Sequence, residues 1–418
     1  MQVSTPTIVV VGSNHEYAPV DIREQLAFSG DQLARGLNAL QQRVPEGLIL
    51  STCNRTEIYA VGQSDEQVVA EIFGFLSGYH SVTEPMLRRS SYVLSGEQAV
   101  DHFFRVASGL NSMILGEPQI LSQIREALDL AREQNAVGPM LQRLTLDALR
   151  IGKRARTETD IARNRVSIAH AAVDLAEREL NGLSGLSVAI LGAGKMATLA
   201  AKLLRARGAS EISVVNRSVD RARELAESVD GVALPLTALE DAIASAHLVI
   251  GAAVSDGPLI SAAHVAPRNT PVLMIDLSVP RVVDQAVGHD PLVQVRDVDA
   301  LDPIAEENRR RYSSEVRKVE TLVLEATRNY ERWVESRRGV QAIAAVRARA
   351  EAIRDLELDK ALRRLQHLSD RDQNIVRVLA CGLTNKLLHQ PVQELRAVGD
   401  VDQRQAILRA FGVEEPDT

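Results

Sequence analysis

Cysteine is nearly absent from this chain: Cys53 and Cys381 are the two in 418 residues. So few, so far apart, they exclude a disulfide framework and point to a reducing, cytoplasmic setting. No Cys/His cluster has zinc-ligand spacing, so no metal site is expected. Aromatic residues are only 3% of the chain, which argues against nucleic-acid binding driven by base stacking. No run of about 18 apolar residues occurs, so no transmembrane helix or membrane partner is expected. The opening Met1-Gln-Val-Ser-Thr-Pro-Thr7 lacks the basic-then-apolar order of a secretory signal. A net charge of -7 announces no nucleic-acid surface, although a local basic patch can be hidden by it. The candidate patch is Arg150-Ile-Gly-Lys-Arg-Ala-Arg156, continuing to Arg163 and Arg165. Its plain reading is a solvated helix face with Glu158 and Asp160 as partners.

What is present divides into three textures, as the length requires of a chain too long for one core. Residues 1–160 mix strands and helices. Ile8 to Val11 and Leu48 to Leu50 read as buried strands, and Glu57 to Val61 as a continuation or an edge strand. Helices are expected over Asp31–Arg43, Asp65–Tyr79, Gln98–Arg105, Gln119–Gln134 and Met140–Glu158. The pattern predicts an α+β domain with a mixed sheet. Residues 161–302 alternate β and α units: strands at Val188–Leu191, Glu211–Val215, His247–Ile250 and Val272–Asp276, helices at Lys195–Arg207 and Val219–Val229. That is the texture of a parallel, doubly wound sheet. Residues 303–418 read as helix. Tyr312, Val316, Val319, Val323, Ala326, Tyr330 and Trp333 form an a/d seam. A helix from Pro303 to Arg337, stopped by Gly339, would be about 50 Å long. Helices near Val340–Leu368, Asp370–His389 and Asp402–Phe411 complete a bundle able to supply a dimer interface.

Gly192-Ala193-Gly194-Lys195-Met196-Ala197 follows a strand and opens a helix. This is a dinucleotide fingerprint with alanine at its third glycine position. Gly192 permits the tight turn, Gly194 lets a pyrophosphate approach the backbone, and the helix N-terminus supplies free N–H groups. Where an NAD site carries an acidic residue after the second strand, this chain has Asn216 and Arg217. Arg217 suits a 2′-phosphate, so NADPH is the expected cofactor.

The other chemical cue is Gly47-Leu-Ile-Leu-Ser-Thr-Cys-Asn-Arg-Thr-Glu-Ile-Tyr59. A short apolar run there delivers Cys53 among polar neighbours, with Arg55 two residues beyond. A thiol with a nicotinamide cofactor points to acyl chemistry: a thioester that is then reduced. If Arg55 lowered the thiol pKa from about 8.5 to about 7, half of it would be thiolate at neutral pH. Cys381, in the apolar helical stretch Val376 to Leu383, reads as core packing.

Ser51-Thr-Cys-Asn-Arg-Thr-Glu57 and Ala107-Ser-Gly-Leu-Asn-Ser-Met-Ile-Leu-Gly-Glu-Pro-Gln-Ile-Leu-Ser-Gln123 resemble the two signature segments of the glutamyl-tRNA reductases. The resemblance extends to Gly12-Ser-Asn-His-Glu-Tyr-Ala-Pro-Val20, Asp276-Leu-Ser-Val-Pro-Arg281 and Asn385-Lys-Leu-Leu-His-Gln-Pro391. It implies an α/β multidomain fold: an α+β catalytic domain, a Rossmann-type NADPH domain, a long spinal helix and an all-helical dimerisation domain in a homodimer. It implies reduction of glutamyl-tRNA by NADPH to glutamate-1-semialdehyde, the first step of the five-carbon route to tetrapyrroles. The nucleophile then falls on Cys53. Substrate-binding positions fall on Thr52, Asn54, Arg55, Ser112, Glu117, Pro118, Gln119 and Gln123, and a histidine important for activity on His102.

In chemical terms, Arg55 would clamp the glutamyl γ-carboxylate and Glu117 would meet its α-ammonium. A local Arg55–Glu57 ion pair is the plain alternative. His102 would polarise the ester carbonyl or protonate the leaving ribose oxygen, while His15 would only organise a turn. The resemblance also gives the basic patch, with Arg309, Arg310 and Arg311, a role against tRNA phosphates. Facing of the two sites calls for a hinge near residues 300–310, and a complex with the semialdehyde aminomutase is conceivable. One departure is Gly251-Ala-Ala-Val-Ser-Asp-Gly257, where the family carries a Ser/Thr-rich turn. Two other functions fit the motifs alone: a tRNA-independent NADP-dependent dehydrogenase of a small acid, and a non-enzymatic dimer sensing NADPH or haem.

Overall fold

The computed structural model describes residues 6–28, 30–117, 119–161, 167–255, 257–265, 268–397 and 401–413. They form two compact units, one over residues 7–326 and one from Thr327 onward.

The first unit contains two sheets. The N-terminal one is built from β1 (Thr7–Asn14), followed by α1 (Val20–Leu26) and α2 (Asp31–Gln41), then β2 (Glu46–Ser51) and β3 (Arg55–Gly62). Helices α3 (Asp65–His80) and α4 (Glu84–Arg89) lead to β4 (Tyr92–Ser95), and α5 (Gly96–Ser108), α6 (Gln119–Glu133) and α7 (Pro139–Glu158) follow. The strand order is β2-β3-β1-β4, and every pair is antiparallel, not mixed as the sequence suggested. The reason is local: three residues, 52–54, join β2 to β3, and so short a link can only turn the chain back on itself. It also makes β3 an interior strand, fully buried along its length, not an edge. Thr52 N–H donates to Arg55 C=O at 2.8 Å to close that turn. Cys53 sits at its tip.

The second sheet begins after α8 (Ile168–Glu179), a helix not anticipated from the sequence. Its strands are β5 (Ser187–Leu191), β6 (Glu211–Asn216), β7 (Val232–Pro235), β8 (Leu248–Gly251), β9 (Val272–Asp276) and β10 (Val293–Arg296). They interleave with α9 (Lys195–Ala206), α10 (Val219–Glu227) and α11 (Leu239–Ser245). The order β10-β9-β8-β5-β6-β7 is parallel throughout. Counted from β5 within the sheet this is the 3-2-1-4-5-6 order of dinucleotide-binding folds. In the central strands β5, β8 and β9 nearly every side chain on both faces is buried, which is why they read as unbroken apolar runs.

The two sheets share an apolar margin. Met113 and Ile114, from the loop before α6, are buried in the core of the second sheet, and Cys53 packs beside that same core, as do Ala193 and Met196. Polar ties reinforce this contact. Arg23 on α1, 3% exposed, donates to the Cys53 carbonyl at 3.2 Å and pairs with Asp299. Arg281 donates to Glu24 at 2.8 Å. Asp276 fixes the loop carrying Arg281 by accepting N–H bonds from Ser278, Val282 and Val283.

The long helix differs from expectation at both ends. It is α12 (Asp302–Arg311), then a break at Tyr312, then α13 (Ser313–Arg364), which runs straight past Gly339. At 52 residues α13 extends about 78 Å. Gly339 is not a stop but a contact point: a Cβ there would lie 3.0 Å from the Leu395 carbonyl oxygen. That carbonyl belongs to α14 (Asp370–Ala397), which α15 (Val401–Ala410) follows. Val319, Val323 and Tyr330 of the seam are buried, and Glu315, Glu320 and Glu325 tie its first turns to Asp160 N–H, Arg105 and Arg154. Ile375, Val378, Leu379, Leu383 and Leu387 stand exposed along α14. Cys381 on the same helix is half-buried, so its expected place in a core is not found within the chain.

Candidate active site

One small cleft is lined by Thr52, Cys53, Asn54, Arg55, Ser112, Glu117, Gln119, Ile120 and Gln123. Eight of the ten positions assigned from sequence to catalysis or substrate binding therefore meet around one thiol. Pro118 lies outside the described residues, and His102 is not among the lining. Ile120 was missed; as an apolar residue one turn into α6 it carries no chemical signal of its own.

The thiol is held by its turn. Thr52 Oγ1 accepts from the N–H groups of Asn54 and Arg55, each at 3.2 Å. Arg23 holds the Cys53 carbonyl from behind. The expected acidification of the thiol by Arg55 is not found. Burial, then the Glu117 charge, push the Cys53 thiol up to about 12, and Arg23 and Arg55 offset this only in part.

Arg55 cannot do more because its charge is already matched. Its Nη1 donates to Glu57 Oε1 at 2.6 Å and its Nη2 to the Asn111 carbonyl. Both members of the pair are buried, at 2% and 0% exposure. Glu57 also accepts from Tyr59 OH at 2.6 Å and from Tyr92 OH, and His102 Nε2 lies 2.9 Å from Glu57 Oε1. Burial alone would raise the Glu57 carboxyl, but the Arg55 charge and then His102 hold it well below the usual carboxylate range. The plain alternative, a local ion pair, is thus present. Arg55 still lines the cleft, so an entering carboxylate meets a guanidinium whose orientation Glu57 fixes. His102 belongs to this buried network, with Nδ1 3.4 Å from Asn111 Nδ2, and stands behind Arg55 instead of facing the cleft. Glu57, Tyr59, Tyr92 and Asn111 were not singled out from sequence as site residues. Only Glu57 had a signal, its place two residues beyond Arg55 on the same strand face.

Glu117 contrasts with Glu57. It is 7% exposed, yet its Oε1 has no hydrogen-bond partner. Burial raises its carboxyl to about 7, against the pull of Arg156 and Arg55. Asn54 Oδ1, in the same cleft, is also buried without a partner. Two unmatched buried acceptors on residues that line one cleft leave a polar demand that a cationic group would satisfy.

The basic patch is in part the solvated helix face paired with Glu158 that its plain reading expects, and in part turned inward at Arg156. Arg156 donates to the carbonyls of Ala107, Gly152 and Glu117. Arg154 pairs with Glu158 and Glu325, and Arg150 with Asp147. Arg163 and Arg165 lie outside the described residues. His15 follows β1, and burial lowers it to about 4.

The nucleotide loop opens α9 in the second sheet. Gly192 has φ +113°, and a Cβ there would strike the Ala252 carbonyl oxygen at 2.3 Å. A Cβ on Gly194 would meet nothing within 4 Å, although its backbone is ordinary and extended (φ -84°). The empty space before an uncapped helix N-terminus is what a pyrophosphate needs. Lys195, Met196 and Ala197 begin the helix. Asn216 ends β6 with its amide donating to Ser218 C=O at 3.0 Å, and Arg217 beyond it is exposed. Among the described residues no group of His, Cys, Asp or Glu is placed to hold a metal ion, and no helix is long and apolar enough to cross a membrane.

Comparison with known proteins covers nearly all of the chain. The N-terminal domain model of glutamyl-tRNAGlu reductase matches residues 11–159. That of shikimate/quinate 5-dehydrogenase matches residues 174–304, and the glutamyl-tRNAGlu reductase dimerisation domain matches residues 318–412. The glutamyl-tRNA reductase of Syntrophotalea carbinolica is 38% identical over 400 residues, spanning 94% of this chain and 90% of that protein. That of Synechocystis sp. is 38% identical over 413 residues, 97% of this chain and 96% of its own. The solved structure of glutamyl-tRNA reductase from Methanopyrus kandleri superposes with a TM-score of 0.56 at 34% identity, covering 97% of each chain.

Proposed function

The chain belongs to the glutamyl-tRNA reductase family, and we propose that it works through a glutamyl thioester on Cys53 with NADPH as reductant. Its reaction is the reduction of glutamyl-tRNA to glutamate-1-semialdehyde with release of the tRNA, the first step of tetrapyrrole synthesis by the five-carbon route. The enzyme is a nicotinamide-dependent oxidoreductase with a Rossmann-type domain. The observation that carries the thioester reading is the convergence of Thr52, Cys53, Asn54, Arg55, Ser112, Glu117, Gln119 and Gln123 on one cleft.

Cys53 Sγ attacks the ester carbonyl, and the ribose oxygen of the tRNA leaves. Arg55, aimed by Glu57, faces the γ-carboxylate; Glu117 and Asn54 receive the α-ammonium. Glutamine in place of glutamate would leave the guanidinium without its charge partner, at a cost of roughly 1.5–3 kcal/mol. Thr52, Ser112, Gln119 and Gln123 supply polar contacts to the remainder of the ester. His102 acts through Glu57 and Arg55, as a positioning residue. Residues Gly192 to Ala197 would hold the pyrophosphate and Asn216 and Arg217 the adenosine end. When bound, the nicotinamide supplies the hydride that reduces the thioester.

Residues 1–160 take the substrate, 161–302 take NADPH, and 303–418 supply the spinal helix and dimerisation. A homodimer joined through the last part gives the exposed apolar side chains of α14 a partner. Free thiols at Cys53 and Cys381 suit the cytoplasm, where a complex with the aminomutase would take over the reactive aldehyde. The test is NADPH oxidation on glutamyl-tRNA, intact or RNase-treated, by wild type and Cys53→Ser. Activity that survives either change overturns the reading.

A further inference from the structure

Resting on the Cys53 thioester, we propose that Glu117 carries the proton of acyl transfer: its carboxylate takes it from the Cys53 thiol and hands it to the leaving ribose oxygen. The two side chains line the same cleft, and Glu117 is the one acid among the lining residues. Its Oε1 is buried and unpartnered. The charged groups that face it are Arg156 from α7 and Arg55 from β3, and neither guanidinium is bonded to the carboxylate. Arg156 donates to three backbone carbonyls, Arg55 to Glu57 and Asn111. The proton acceptor is therefore not neutralised by a cation.

Its backbone is fixed on both sides, as a group that must meet a thiol requires. Glu117 N–H donates to Ile114 C=O at 3.2 Å, and its own carbonyl accepts from Arg156 at 2.6 Å. Gly116, at φ +75°, packs so closely on the Ile161 carbonyl that a Cβ would lie 2.4 Å from its oxygen. The turn that presents Glu117 thus has little freedom to move.

The need for a base follows from the thiol. Held near 12 by burial and by Glu117, Cys53 is protonated at neutral pH. Glu117, near 7, is matched to exchange a proton there. In the first half-step the S–H bond breaks, the proton passes to Glu117, and sulfur bonds to the ester carbon. In the second the carbon–oxygen bond to ribose breaks and the proton on Glu117 passes to that oxygen. The sum is glutamyl ester plus thiol giving glutamyl thioester plus tRNA hydroxyl, with Glu117 restored. One carboxylate oxygen can make this exchange while the other, with Asn54, holds the ammonium.

The experiment is single-turnover acylation without NADPH, followed as glutamyl label on the quenched protein. The substrates are glutamyl-tRNA and the α-thiophenyl ester of glutamate, for wild type, Glu117→Gln and Glu117→Asp. Wild-type acylation by glutamyl-tRNA should rise with pH to a plateau above about 7. Glu117→Gln should lose that inflection and about 100-fold or more in rate; Glu117→Asp should keep the inflection. Both substrates need Glu117 to take the thiol proton, but only glutamyl-tRNA also needs that proton delivered to its leaving oxygen. The thiophenyl ester, whose thiolate departs without a proton, should therefore lose less than about tenfold. Equal losses on both substrates, or an inflection that survives in Glu117→Gln, overturn the proposal and leave the thioester standing. No adduct on the wild type overturns both.

Discussion

Arg55 and Glu57 stand two residues apart on β3, and Arg55 Nη1 donates to Glu57 Oε1 at 2.6 Å with neither side chain more than 2% exposed. The strand's period of two puts both on one face. The pair makes the cleft-lining guanidinium rigid, and with its charge matched Arg55 offsets the raised thiol only in part.

Glu57→Gln should destabilise the protein by about 3–5 kcal/mol, because it strands a buried guanidinium. Tyr92→Phe removes one of several donors to Glu57 and should cost about 1 kcal/mol. Denaturant midpoints measure both. Glu57 is depressed in the folded state, so its contribution is present above the unfolded value near 4.3 and is lost as pH falls below it. The difference between wild type and Glu57→Gln should shrink only in acid. A difference unchanged down to pH 2 would refute the assignment.

Glu117 has the opposite sign. Its folded value, raised to about 7, means the unfolded chain gives up the proton first, and stability falls as pH rises from about 4.5 to 7. The full loss is about 3 kcal/mol for a group this buried. Glu117→Gln should therefore match wild type in stability at pH 4 and exceed it by about that amount at pH 8. Urea unfolding across the range tests this independently of any activity.

The two glycines of the nucleotide loop should fail differently. Gly192→Ala forces a Cβ onto the Ala252 carbonyl at a positive φ and should cost several kcal/mol, of order 2–4. Gly194→Ala meets empty space and should leave thermal stability within about 0.5 kcal/mol. It should nevertheless weaken NADPH binding tenfold or more, roughly 1.4 kcal/mol, since its methyl occupies the space for the pyrophosphate. Equal cofactor affinity in Gly194→Ala and wild type would exclude that loop as the site.

Arg217→Ala should raise KM for NADPH by about 10- to 100-fold, the equivalent of roughly 1.5–3 kcal/mol for a charge-assisted pair. KM for NADH should change little. A parallel rise for both cofactors would mean that Arg217 does not read the 2′-phosphate.

Much of the second sheet was legible because its central strands are buried on both faces and their apolar runs need no partner to be recognised. The short strands β4, β7 and β10 escaped notice, because four-residue segments with half-exposed side chains give no run to read. Gly339 misled for a different reason. A glycine inside a helix resembles a stop unless the neighbour that approaches it, here Leu395, is already known. In the basic stretch Arg150 to Arg156 the partner Glu158 was legible as a short-range helix contact of Arg154, whereas the carbonyls of α5, α7 and the loop before α6 that hold Arg156 were not.

By itself the sequence determined which chemical groups are present and which are locally positioned: Cys53 at the end of a short apolar strand among polar neighbours, and Gly192 and Gly194 between an apolar strand and a helix. Turn length and side-chain periodicity are short-range properties, and they are written in neighbouring residues. Tertiary structure alone decided the protonation of the site. It brought Glu117 into the cleft of Cys53 without a bonded cation, matched Arg55 to Glu57, and partly buried the thiol. Those are properties of charge separation and burial, which depend on residues distant in the chain and on the solvent they exclude.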